Sequence, residues 1–211
     1  MQNNKFTEEQ SLELITSMIQ ESRKRLARNS GTPFLVWGYL TVAVSIFVYF
    51  TMVKQWAYEW QWAWFAIPLL GWPIMMYAIR KQEKGAKNHI DRTISVLWYV
   101  LGISTIFLYL FAAAYKASLF SLIVLVMGIG TLTTGLILRN KTTKWCGALA
   151  MMASAIFPLR YFYIYKNEIL GSNNIEEAIA YHSTDILIFA TIFFVMMVIP
   201  GHILNHRAKN I

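Results

Sequence analysis

The residues best able to do chemistry in this chain gather in two short stretches. In the first, Trp56, Tyr58, Trp60, Trp62 and Trp64 occupy alternate positions around Glu59. Such rings favour the headgroup level of a bilayer, which predicts an interfacial belt. Rings beside a carboxylate are also the ingredients of a cation site. On an α-helix only Trp56, Trp60 and Trp64 would share a face. In the second stretch Arg160 precedes Tyr161, Tyr163 and Tyr165, and His182 and Asp185 follow further on. Arg160 can snorkel to an interface alone, or pair with Asp185 or Glu59. His182 and Asp185 stand three apart and would face one way on a helix. That is half of a metal site and lacks a thiolate. A structural ion pair is the simpler expectation, and no metal or cofactor is expected. The sequence has no phosphate loop, HExxH or CxxC, and no histidine beside a serine or cysteine in a nucleophile motif. No catalytic residue is assigned, and an enzyme is not expected.

The elements that must position these residues are apolar and long. Of 211 residues, 56% are hydrophobic and only 14% charged, against about a quarter charged in soluble domains. The apolar residues fall into runs that can each cross a hydrocarbon core of roughly 30 Å. The predicted fold is all-α, a polytopic bundle of six transmembrane helices preceded by an amphipathic N-terminal helix. The spans are placed at about 34–53, 62–79, 93–115, 118–138, 145–165 and 186–204. Pro68 and Pro73 should kink the second, where neighbouring helices must satisfy the freed carbonyls, and the fifth should lose regularity at Pro158. Counting about 1.5 Å per residue from Trp145, Arg160 lies about 22 Å along the fifth span, near its outer end. Residues 176–181 read as a short external helix capped by Asn173 or Asn174. No Asp, Glu, Lys or Arg falls in the middle third of any span, where proton relays and ion-coupled transporters usually need one. The single cysteine, Cys146, can form no intramolecular disulfide. The first 33 residues hold no signal-peptide apolar core, so no cleaved leader is expected.

Residues 1–31 are assigned to a cytoplasmic amphipathic helix and 32–211 to the transmembrane domain. Leu12, Ile15, Met18, Ile19 and Leu26 form a helical stripe, followed by Arg23, Lys24, Arg25 and Arg28 near its end. Asn29-Ser30-Gly31 should break this helix, with Gly31 as a left-handed cap and Pro33 opening the next. The stripe predicts a helix lying on the inner leaflet. The sharper alternative is a docking surface for a cytosolic partner or a second copy. Fifteen of the 19 Lys and Arg fall on one side of the predicted topology, which puts both termini in the cytoplasm. These basic residues sit in short loops beside spans, so the net charge of +8 does not call for nucleic acid; the expected partner is the lipid bilayer.

Gly38, Thr41 and Ser45, then Gly128, Thr131 and Gly135, then Gly147, Ala150 and Ser154 place small residues at i, i+3 and i+7. Each set makes a narrow face where a neighbouring backbone can come close, so each is read as a packing seam. Trp37 and Trp98 stand in register, as do Leu40 and Leu101, and Gly135–Arg139 resembles Gly201–Asn205. Duplicated hairpins would explain this.

The stretch SLELITSMIQESRKRLARNSGTPFLVWGYLTV, roughly residues 11–42, resembles the opening of a group of small, uncharacterised bacterial multi-spanning proteins. They too begin with a polar helix rich in Leu and Ile, then an Asn-Ser-Gly-like break and an aromatic-Gly step. The resemblance implies a bacterial inner membrane and no particular activity. The order of elements is also similar to exporter permeases of the ATP-binding-cassette type, which carry an elbow helix before six spans. The expected role is a non-enzymatic membrane protein acting through contacts, as sensor, regulator or assembly component; the alternative is a permease subunit of such an exporter.

Overall fold

The computed structural model describes residues 8–80, 89–115, 119–166 and 175–210. Its elements are α1 (Glu8–Val53), a 3₁₀ segment (Tyr58–Phe65), α2 (Ala66–Arg80), α3 (His89–Tyr115), α4 (Leu119–Ile137), α5 (Lys141–Ala153), α6 (Ile156–Lys166), α7 (Ile175–Phe193), a π segment (Phe194–Val198) and α8 (Ile199–Asn210). There is no strand among the described residues. Four stretches are long and apolar enough to cross a membrane: Gly31–Val53, Leu119–Ile137, Lys141–Tyr163 and Ile179–His206. The described residues are thus all-helical, with four candidate membrane-spanning helices.

Neighbouring helices run antiparallel. Gly31 of α1 lies against Asn205 and Gly201, Gly38 lies against Met197 and Val198, and Val48 packs with Ile186. On the other flank of α1, Trp37 covers Gly71 of α2, and Phe47 meets Trp60. Trp98 of α3 covers Gly130 of α4, so the α1–α2 and α3–α4 pairs are each joined by a tryptophan on a glycine. Phe34, Val124, Phe157, Phe189, Phe193 and Met196 form the shared core. One end of the bundle therefore carries Gly31, the end of α4, the start of α5 and the end of α8. The other end carries the end of α1, the start of α4, α6 and the first turns of α7.

Several local expectations change in the structure. Asn29-Ser30-Gly31 does not end a helix, because α1 runs unbroken for 46 residues. Gly31 serves close approach instead of capping: a Cβ there would run into the Asn205 side chain and lie 2.9 Å from the Gly201 carbonyl. This packing outweighs a weak local propensity of about 1 kcal/mol for a helical glycine. Pro33 sits inside α1 and does not open a second helix. Pro68 falls in the first turn of α2, where a missing N–H costs nothing, and only Pro73 is interior. The fifth span starts earlier than expected, because Asn140 Oδ1 accepts from the Thr142 and Thr143 amides and caps α5. Its irregularity falls at Ser154–Ala155, four residues before Pro158. That offset is physical, since a proline cannot donate to the carbonyl four residues back and its ring crowds it. Ser121 Oγ of α4 donates to that freed Ser154 carbonyl at 2.9 Å. The expected short external helix at 176–181 is simply the start of α7, which continues into the span; Asn173 and Asn174 lie outside the described residues.

Two helix ends use left-handed residues that are not glycine, Gln55 (φ 51°) and Arg139 (φ 52°). Each closes a Schellman motif. Trp56 N–H donates to Thr51 O and Gln55 N–H to Met52 O; Asn140 N–H donates to Gly135 O and Arg139 N–H to Leu136 O. Asn140 thus ends one helix and caps the next, which makes the α4–α5 connection very short. The π segment precedes Pro200, and the Ile199 N–H donates five residues back to Phe194 O. A proline at 200 leaves the Met196 carbonyl without its α-helical donor, and the wider turn accommodates the ring.

Candidate functional site

The outer aromatic stretch folds as a tight helix, so its phase differs from the one expected. At three residues per turn, four residues carry a side chain past a full turn by a third. Trp64 therefore leaves the Trp56–Trp60 face. It enters the core against Phe120 and Phe189, with ring centroids 5.7 and 5.9 Å away. Trp56 and Trp60 lie 5.6 Å apart and close on Phe47 at 6.5 and 5.7 Å. The two rings pack on each other and leave no gap between them. Glu59 is exposed on the same segment. The triad seals the end of the α1–α2 hairpin and presents apolar ring faces outward.

The second stretch assembles where α6 meets α7. Arg160 Nε donates to Asp185 Oδ1 at 2.9 Å, and the guanidinium carbon sits 5.2 Å from the centre of the Tyr181 ring. Proline-induced displacement of α6 and the turn spacing of α7 bring these three together. The Asp185 side chain is 10% exposed and that of Arg160 31%, so the pair is sheltered on its acidic side. Of the two partners open to Arg160, it takes Asp185. The contact engages Asp185 Oδ1 with a guanidinium. His182 is exposed and its ring meets Tyr181 edge-on at 5.2 Å. Among the described residues no group of three His, Cys, Asp or Glu is placed to hold a metal. The arrangement clamps α6 to α7 across residues 167–174.

A third polar contact had no signal in the sequence. Tyr39 Oη and His202 Nε2 lie 2.7 Å apart, joining α1 to α8 across 163 residues of chain. The phenol donates when the imidazole carries its proton on Nδ1. The rings meet edge-on at 5.8 Å. Beside them Asn205 Oδ1 is buried without a partner, under Gly31.

The small-residue sets lie on the helix–helix contacts. Thr41 and Ser45 are buried on α1, and a Cβ at Gly38 would sit 3.0 Å from Met197 Cβ. Ser154, just past the end of α5, meets Ser121; Thr131 and Ala150 are buried; and Gly128 and Gly135 of α4 lie against Gly147 and Lys144 of α5. There the backbones touch: a Cβ at Gly135 would sit 2.5 Å from the Lys144 nitrogen, and one at Gly147 would collide with the Leu132 nitrogen. Thr131 and Thr134 satisfy their hydroxyls on carbonyls one turn back, Met127 O and Gly130 O.

On the N-terminal half of α1, Leu12 is 64% and Met18 60% exposed, and Leu14 is exposed as well. The side chains of Ile15, Ile19, Arg23, Lys24, Arg25, Leu26 and Arg28 lie outside the described residues.

No protein-family model matches this chain, and neither does any curated protein or solved structure.

Proposed function

We propose that this chain is a six-span protein of the bacterial inner membrane, with both termini cytoplasmic. In this reading it acts through contacts, as a sensor, regulator or assembly component, and reaches its partner with the N-terminal half of α1. The observation that carries the reading is the continuity of α1. The apolar stretch begins at Gly31, yet the same helix starts at Glu8. The 23 residues ahead of the span extend the helix by about 34 Å. A helix lying flat on a leaflet needs a turn near a right angle at the junction, whereas proline kinks within a helix are gentler. An arm that stands away from the bilayer leaves Leu12, Leu14 and Met18 without lipid, and a short helix in water needs such a face covered. The permease resemblance leans on an elbow before the first span, and the uninterrupted α1 gives it no support.

Two further observations favour six spans. The 3₁₀ segment and α2 together run about 38 Å, and α3 about 40 Å. Arg80, Arg92, Arg139, Lys141 and Lys144 belong to the bundle end that carries Gly31 and Asn205, while Lys54 and Arg160 belong to the other.

A photo-cross-linking residue at Met18, activated in intact membranes, tests the contact arm. A discrete protein adduct that disappears with Leu12→Glu supports it. Lipid adducts alone would overturn it and return α1 to the bilayer surface.

A further inference from the structure

We infer that the turn from α4 into α5, with Arg139, Lys141 and Lys144, binds the phosphodiester headgroup of anionic phospholipids. Arg92 of α3 stands at the same bundle end, on the opposite flank of α4. Trp98 and Leu101 of α3 pack on Gly130 of α4, and from that contact Arg92 and Arg139 lie about 9 and about 13 Å toward the same bundle end. Lys141 and Lys144 follow at once, because the connection to α5 is so short. Arg92, Arg139 and Lys141 are exposed and Lys144 is half-buried. No described residue forms an ion pair with any of them.

Local helix physics works against three of these cations. Arg139 occupies a left-handed position (φ 52°), where glycine or asparagine is at home. Lys141 and Lys144 sit in the first turn of α5, which holds no acidic residue; the helix dipole favours acidic side chains there. Asn140 already takes the Thr142 and Thr143 amides, so what the helix adds is chiefly positive potential. Where several local rules fail together at one place, function is the usual reason.

A lipid phosphate is the source favoured over free phosphate. The apolar stretch begins at Lys141 itself, which sets the lysines at the boundary of the hydrocarbon. Trp145, one turn from Lys141, is 67% exposed, and an exposed indole belongs at headgroup depth.

The test uses the full chain in nanodiscs of phosphatidylcholine, with or without phosphatidylglycerol, read by thermal unfolding and by native mass spectrometry of retained lipid. The wild type should be more stable and retain the anionic lipid in preference, and the preference should fall as salt rises. Lys141→Gln with Lys144→Gln should lower the anionic preference by about fivefold per lysine, near thirtyfold for both. In neutral lipid the double variant should be as stable as wild type or more so. Lys54→Gln, at the opposite end, should keep the full preference. An anionic preference that survives the double variant would overturn the inference. So would a double variant that is unstable in neutral lipid, since the lysines would then hold the hairpin itself. Protection of the detergent-solubilised protein by inorganic phosphate, equal to that by lipid, would overturn the choice of ligand.

Discussion

Ser121→Ala removes one hydrogen bond whose necessity can be traced to a single proline. Pro158 cannot donate to the Ser154 carbonyl, and Ser121 Oγ fills that place from α4 at 2.9 Å. Ser154 is buried, so the truncation leaves a sheltered acceptor unpaired, at a cost of about 1–3 kcal/mol in water-soluble proteins. In membrane bundles the unfolded state also finds partners, which lowers such costs to about 0.6 kcal/mol on average; about 1 kcal/mol is expected here. The decisive comparison is a cycle with Pro158→Ala, which restores an amide able to reach the carbonyl from within its own helix. Ser121→Ala should then cost close to nothing. Loss of the serine's packing is the same in both backgrounds and cancels. Reversible unfolding of the four proteins in detergent gives the coupling, which should approach the full single-variant cost. A cost that is equal in the two backgrounds, within about 0.3 kcal/mol, would refute the account of the α5–α6 break.

The remaining expectations concern packing, charge and sidedness. Gly147→Ala should destabilise the bundle by about 1–3 kcal/mol, because the added methyl meets Leu132 backbone. Gly102→Ala, with nothing within 4 Å of the new Cβ, should be neutral or gain up to about 1 kcal/mol in the same melting assay. At the α6–α7 clamp, Arg160→Gln should cost more than Asp185→Asn, since it strands the less exposed member of the pair. Its cost should fall between the roughly 1 kcal/mol of an exposed pair and about 3 kcal/mol of a buried one. An inverted order in unfolding measurements would show that the carboxylate is not the buried partner that needs company. Single cysteines at Lys54 and Lys141, on a Cys146→Ala background, should be labelled from outside and only after permeabilisation, respectively; the opposite pattern would invert the topology.

What the sequence made legible followed from local spacing. Long apolar runs gave helices, and small residues at i, i+3 and i+7 pointed to the faces where α4 and α5 bring their backbones together. Pro158 and the helical rise placed Arg160 near the end where Asp185 also lies, although the choice between Asp185 and Glu59 needed the packing of α6 on α7. What was hidden depends on distant partners. Gly31 reads as a stop signal until Asn205 and Gly201 lie against it, and then it is a contact residue inside a helix. The Trp56–Trp64 series gave the right residue types but not their phase, because a 3₁₀ segment and an α-helix differ by about 80° over four residues. Gln55 and Arg139 carry no mark of a left-handed cap. Tyr39 and His202 are joined only through the antiparallel packing of α1 on α8, and the π turn before Pro200 sets where His202 falls.

The continuity of α1 is the claim on which the functional reading stands, and a distance between two spin labels tests it. Labels at Met18 and Ile46, both exposed, on a Cys146→Ser background in nanodiscs, report on the junction between them. An unbroken helix separates the two positions by about 42 Å along its axis. A right-angled elbow at Ser30 would bring them to about 30 Å. A distribution centred near the longer distance is the expected result, and one centred near the shorter would contradict the arm and lay the N-terminal half on the membrane.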